Sequence, residues 1–294
     1  MRRVLRKLLI SMRWRPLPMM TSQRRSRPRW WTVVAGWFLG QGMFEARAHQ
    51  IARENVVKYE RMLPREIEAL LEARPVAIVP WGALEWHGHH QAIGLDAIKA
   101  SAIADAVADR LGVVSLPPVY AGYQTMKPHR GFRHCIEMSA TTVGGMVRDY
   151  VSQLANEGFR LVVIITGHYG RRHVDMLRFQ AEQVAEEVGV KTWVLAEYEV
   201  VKDLGYTGDH AARWETSLLW HIAPELVDLG LYREDLTGDE QGVMGENPAE
   251  TASAEDGGRV FAAMAERIAD RALAILDEPD QSKYVPWKPT PAPE

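Results

Sequence analysis

Between residues 81 and 96 the chain reads WGALEWHGHHQAIGLD, so Glu85, His87, His89, His90 and Asp96 share one short stretch. Imidazole and carboxylate together are donors that Zn²⁺ and similar ions accept, and a catalytic ion keeps one position for water. In an extended segment residues i and i+2 share a face. Glu85 and His87 therefore point into one pocket while Trp86 points away into packing. A second loop, Gly167-His168-Tyr169-Gly170, follows the run RLVVIIT, and His168 at its start is a further candidate ligand. Asp96 falls at the start of a helix, from where its carboxylate could bridge two ions. Any one of these side chains taken alone is more often a solvated loop residue. Their grouping on two loops is what favours a metal site.

Such groups need elements to position them. Residues 76–80 (VAIVP) read as a buried strand, and residues 95–111 are apolar at helical spacing with Gly112 as C-cap. A second strand is expected at 113–116, a polar loop at 124–135 and a short strand at 136–139. A helix at 141–158 takes Thr141 or Thr142 as cap and Gly158 as stop. Residues 160–166 form the strongest strand, and their continuous apolar run implies burial on both faces. A helix at 171–188, a strand at 191–196, a helix within 209–223 and a helix at 257–276 complete the pattern. Upstream, residues 54–74 read as one helix whose second half begins at Pro64. Strands alternating with helices predict an α/β fold with a largely parallel sheet covered on both faces. Ligands in such folds bind at the carboxyl ends of the strands, where both histidine loops fall.

With 294 residues, 47% hydrophobic and 25% charged, the chain has the composition of a globular protein able to bury a full core. A formal charge of -3 and a pI near 6.4 give no sign of a nucleic-acid binder. The one cysteine, Cys135, excludes an internal disulfide framework and a cysteine-built zinc site. Residues 1–30 are rich in arginine and contain no acidic residue; an apolar stretch runs on to Phe44, and Ala46-Arg47-Ala48 has the small-x-small form of a signal-peptidase site. Residues 1–48 are therefore expected to be an export signal, with Arg24-Arg25 as a twin-arginine element. An interfacial anchor or a basic tail is the alternative, since the apolar run is short for a membrane span. Export would place the protein in the periplasm or outside the cell, and otherwise it is cytoplasmic. Residues 49–278 form the folded domain, and 279–294 a proline-rich tail.

The chain resembles the creatininase (creatinine amidohydrolase) family. The resemblance rests on Gly82-Ala83-Leu84-Glu85-Trp86-His87-Gly88-His89-His90 with Asp96 eleven residues after Glu85. It continues through His129 with Gly131-Phe132, and Gly158-Phe159 ahead of the strand that ends in Thr166-Gly167-His168. It ends with Asp209-His210-Ala211 and Glu215-Thr216-Ser217. Together these span residues 55–275. The resemblance implies a three-layer α/β/α sandwich with two divalent ions at the strand ends, Zn²⁺ first, Mn²⁺ or Fe²⁺ otherwise. Glu85 and His168 would hold one ion, His87 the other, and Asp96 would bridge them. His210 would move a proton to the leaving nitrogen, and Glu215 would orient the site or ligate the second ion. The implied reaction is hydrolysis of a C–N bond in a small cyclic or linear amide, with a homo-oligomer, a hexamer by analogy, as the assembly. A peptidase or deformylase of the same family, or a non-catalytic binding protein on the same fold, are the alternatives.

Creatinine-hydrolysing members carry a glutamate where this chain has Gly170, and a tryptophan that covers creatinine falls at Tyr206. Creatinine is therefore not the expected substrate. Lys127, Arg130, Arg133, Arg171 and Arg172 suggest an acidic group on the substrate, or else a solvated basic rim.

Overall fold

The computed structural model describes residues 58–278. A turn of 3-10 helix (Tyr59–Arg61) is followed by α1 (Pro64–Ala73), β1 (Val76–Gly82), α2 (Leu95–Leu111), β2 (Val114–Ser115) and β3 (Val119–Tyr120). Then come α3 (Met126–Arg130), α4 (Ala140–Asn156), β4 (Leu161–Thr166), α5 (Arg171–Val188), β5 (Lys191–Ala196), α6 (Arg213–Ile222), α7 (Gly238–Gln241), α8 (Pro248–Thr251) and α9 (Ala254–Asp277). The strand order is β2-β1-β4-β5, with the short β3 also paired to β1, and every pairing is parallel.

Alternation along the strands sorts the side chains into two cores. Val76, Ile78, Leu161, Val163 and Ile165 pack with Ile103 and Val107 of α2, Leu218 of α6 and Met264 of α9. Their neighbours Ala77, Val79, Trp81, Val162 and Ile164 meet Val143, Val147 and Val151 of α4 and Leu177 of α5. Both faces are thus covered, as the apolar runs demand, and the architecture is the expected three-layer α/β/α sandwich. Each fully buried Val, Ile or Leu contributes about 1.5–3 kcal/mol. The strands that carry the candidate ligands at their ends are buried along their whole length.

The expected helix at 54–74 is instead a 3-10 turn and a separate α1; residues 54–57 lie outside the described part. Pro64 disfavours helical geometry in the residue before it, and Leu63 is extended accordingly. No strand forms at 136–139. Only an isolated bridge joins Gly122 and Glu137, because the Glu137 carboxylate accepts the backbone N–H groups of Gln124 and Thr125, while Ser139 is the residue that caps α4, in place of Thr141 or Thr142. The polar loop at 124–135 contains α3, capped by Thr125. No helix among the described residues is long and apolar enough to cross a membrane. The export segment and the proline-rich tail lie outside those residues.

β1 and β4 run side by side, with Trp81 opposite Thr166, so the loops that leave them start next to each other. A Cβ on Gly167 would stand 2.1 Å from the backbone oxygen of Asp96. Only a glycine lets the chain leaving β4 lie against the first turn of α2, and this contact brings His168 to Asp96.

Candidate metal centre

Three histidines reach the same point from different segments, and each is tethered by one ring nitrogen to a backbone carbonyl. His87 Nδ1 lies 3.1 Å from the oxygen of Glu85, His168 Nε2 lies 3.0 Å from that of Tyr123, and His210 Nε2 lies 2.9 Å from that of Trp86. A carbonyl only accepts, so in each case the facing nitrogen carries the hydrogen. In the neutral rings the other nitrogen then presents a lone pair. His87 Nε2 is 3.1 Å from Asp96 Oδ1 and 3.6 Å from Glu215 Oε2. His168 Nδ1 is 2.7 Å from Glu85 Oε2 and 3.3 Å from Asp96 Oδ2.

Lone pairs therefore face carboxylate oxygens at short range. The setting is dry: Glu85, His87, Asp96 and Glu215 are all 2% exposed or less. Glu85 Oε2, Asp96 Oδ2 and His87 Nε2 make no hydrogen bond. Buried polar atoms without partners carry a cost, and here they converge, which is the arrangement that a cation between them would relieve. Among the described residues the donors fall into the groups Glu85–Asp96–His168, His87–Asp96–Glu215 and Glu85–His87–His210, each with ligand atoms within 4.8 Å of one another. The first two share Asp96, which turns one oxygen to each. The residues fit divalent ions in number, type and orientation.

Protons meet the same demand for positive charge. Burial opposes charging His87, but Asp96, Glu215 and Glu85 outweigh it and raise its pKa to about 9. His168 is raised well above its ordinary value by Glu85 and Asp96, again against burial. Burial would lift the Asp96 and Glu85 carboxyls, yet His87 and His168 hold Asp96 well below its usual range and His168 lowers Glu85.

A family model described as creatinine amidohydrolase matches residues 60–272. The chain belongs to the creatininase family. As a member it is a metal-dependent hydrolase of C–N amide bonds. The creatinine amidohydrolase of Pseudomonas putida is 31% identical over 186 residues, covering 56% of this chain and 71% of the relative. A mycofactocin precursor peptide peptidase of Mycolicibacterium smegmatis is 28% identical over 223 residues, 67% of this chain and 84% of that protein. A crystal structure of creatinine amidohydrolase aligns with 76% of the chain and 98% of its own length at 26% identity and a TM-score of 0.67. Creatininase structures described as the Mn form and as a Zn–Zn mutant align at TM-scores of 0.64 and 0.65, with 27% and 26% identity, each over 76% of this chain and 99% and 100% of their own. A divalent metal is the cofactor of this fold.

Within this creatininase-family site, Glu85 is fixed from both sides: Oε1 accepts the Met126 N–H at 2.5 Å and Oε2 faces His168. Trp86 points away from the cluster into packing as expected, donating its indole N–H to the Gln241 carbonyl and stacking on Phe132. Glu215 sits in the first turn of α6, where Asp209 accepts the N–H groups of Trp214 and Glu215. Burial and the neighbouring Glu215 push the Asp209 carboxyl up to about 7. Ala211 occupies the left-handed region at φ 54, a costly conformation for a residue with a Cβ. This corner turns His210 toward the cluster and gives the Ala211 N–H to Glu215 Oε2 at 2.7 Å. Burial and His87 lower the pKa of His210, and its Nδ1 lies 4.0 Å from Glu215 Oε2.

The structure leaves the other sequence candidates apart from the cluster. His89 is exposed on the edge of Trp86. His90 is buried beside Thr216 and Gln91, and burial lowers its pKa to about 4. Above the ligands lies a cleft of about 470 Å³ lined by Gln124, His129, Tyr169, Arg171, Tyr198 and Met244, among others. Of the five basic residues singled out, Arg171 alone is in that lining. Lys127 donates to the Cys135 carbonyl and Arg130 pairs with Asp239. Tyr206 lies in the core, stacked on Trp214, and does not cover the cleft.

Sequence reasoning missed Lys99, which is 0% exposed. Its Nζ donates to Glu215 Oε1 at 2.5 Å and to the Tyr169 hydroxyl at 2.7 Å, and lies 3.1 Å from Glu197 Oε1. The signal was present: Lys99 stands four residues after Leu95 and four before Ile103, on the buried stripe of α2. A charged residue on such a stripe needs a partner.

Proposed function

We propose that the protein carries two divalent ions, Zn²⁺ first among the candidates, and hydrolyses a C–N bond in a small cyclic or linear amide other than creatinine. Glu85 and His168 would hold one ion, His87 and Glu215 the other, with Asp96 between them. The observation that carries this reading is the orientation of Asp96, whose two oxygens face the lone-pair nitrogens of two different tethered histidines. Divalent ions in such a cluster lower the pKa of water and polarise a carbonyl. His210 would hold a proton at Nδ1 and deliver it to the leaving nitrogen, since its Nε2 is committed to Trp86. Burial of the ligands keeps bulk water from screening these charges. Arg171, on the cleft wall, would pair with an acidic group of the substrate.

Metal analysis of the purified protein, followed by hydrolysis assays on cyclic amides and formamides, tests the proposal. Two equivalents of a divalent ion per chain and chelator-sensitive turnover are expected. A chain that takes up no metal after add-back overturns it. A peptide bond as the target is a second reading, supported by the peptidase relative and by the placement of Tyr206 beneath the cleft instead of over it. Cleavage of short acidic peptides in preference to cyclic amides would select it. The reading further includes export through residues 1–48, the folded domain at 49–278 and assembly into a hexamer. Sequencing of the mature N-terminus should begin at His49, and the solution mass should be that of six chains.

A further inference from the structure

Gly170 offers no carboxylate beside His168, and the backbone gives a side chain little room there. A Cβ on Gly170 would stand 2.9 Å from His168 Nε2 and 3.0 Å from the Gln124 oxygen. The donor that completes the group around His87 comes from Glu215, far along the chain. A carboxylate brought from another helix has to be held in one orientation to serve; the Ala211 N–H holds one of its oxygens and Lys99 the other.

We infer that Lys99 is a positioning residue that presents Glu215 to the second ion. The inference rests on the two-ion reading above. Lys99 Nζ takes Glu215 Oε1, which leaves Oε2, 3.6 Å from His87 Nε2, as the oxygen that faces the cluster. Lys99 is itself held by Glu197 and by the Tyr169 hydroxyl, which donates in turn to Glu197 Oε1 at 2.7 Å. The Tyr206 hydroxyl lies 2.6 Å from that of Tyr169. Lys99 and Glu197 are each 0% exposed, so the pair is built into the core and not a surface accident. Glu197 balances the charge of Lys99, which makes the contribution of the pair to the ion chiefly one of orientation. The pair also explains why Tyr206 lies in the core, since its hydroxyl closes the network behind Glu215. The Ala211 N–H holds Glu215 Oε2 as the Met126 N–H holds Glu85 Oε1, and the Lys99–Glu197 pair is the support that Glu215 has in addition.

The test is Zn²⁺ titration of metal-free protein by calorimetry. Lys99→Met alone strands two buried carboxylates, Glu197 and Glu215, so the informative variant is the double change Lys99→Met with Glu197→Gln, which leaves Glu215 as the one carboxylate deprived of Lys99. The expected result is weaker binding of the second Zn²⁺, roughly 10–100-fold, with the first within about twofold of the unaltered protein. Lys99→Gln, which keeps an N–H donor, should restore part of the second affinity. Unchanged affinity for both ions overturns the inference, and so does an equal loss of both, which would make Lys99 a general support of the fold. Glu215→Gln serves as the control for the underlying reading: if it still binds two ions normally, the two-ion reading with Glu215 as ligand fails, irrespective of Lys99.

Discussion

The two donor groups that meet at Asp96 are built in different ways. Glu85 and His168 sit on adjacent loops leaving β1 and β4, strands that are buried throughout. His87 leaves β1 as well, but its carboxylate partner Glu215 comes from α6 and is steadied by a salt bridge inside the core. One half inherits its geometry from the sheet. The other depends on a helix terminus, a strained corner at Ala211 and a buried lysine. A site with one sheet-built half and one assembled half should show unequal tolerance to change, and each half can be disturbed separately.

The largest effect is expected from Asp96→Ala, which removes what the halves share. Metal content should fall toward zero and kcat/KM by roughly 10³-fold or more, because several kcal/mol of charge stabilisation are lost. Two retained equivalents of metal would remove Asp96 from the centre of the comparison. Glu215→Gln separates the halves: one equivalent should remain, with kcat/KM down roughly 10²–10³-fold. His210→Ala removes a ring that packs on His87 but none of the ligands assigned to the two ions, and should leave the metal content intact while lowering kcat by roughly 10²-fold; lost metal would make His210 a ligand.

Proton competition gives a smaller, graded effect. Without metal, His87 titrates near 9, against 6.5 when free of its neighbours. A raised folded-state pKa stabilises the metal-free protein fully below 6.5, and that contribution disappears as pH climbs through about 9. Metal must displace the same proton, so metal affinity should rise across this window while metal-free stability falls. Denaturation and metal titrations over that range check both slopes. The smallest effect is expected from Gly170→Ala, which crowds His168 and should cost about 1–3 kcal/mol of stability, read as a lower Tm with both ions still bound.

Much of this was legible before any coordinates. The helices beginning at Leu95 and Arg171 and the strand beginning at Lys191 form where the apolar periodicity puts them, because buried faces dictate periodicity. Glu85, His87, Asp96 and His168 were readable as a group because three lie on loops that leave strands and Asp96 opens the helix that follows the first of those loops. The short stretch at 136–139 misled because its apolar residues suggested a ladder that Glu137 and Ser139 break with side-chain bonds to the backbone. Lys99 escaped because helical periodicity marks which side chains are buried without saying which of them meet. Tyr206 was matched by the resemblance to a tryptophan that covers substrate, but its depth depends on Trp214 and Tyr169, which no local pattern encodes.

The tethers of His87, His168 and His210 have one more implication. All three end on main-chain oxygens, of Glu85, Tyr123 and Trp86, and no side-chain replacement at those anchor points deletes an oxygen of the main chain. The aim of the imidazoles is thereby insulated from drift in the surrounding sequence. A lineage can refashion the cleft wall residue by residue, acquiring new substrates, while the reactive core beneath it stays in working order.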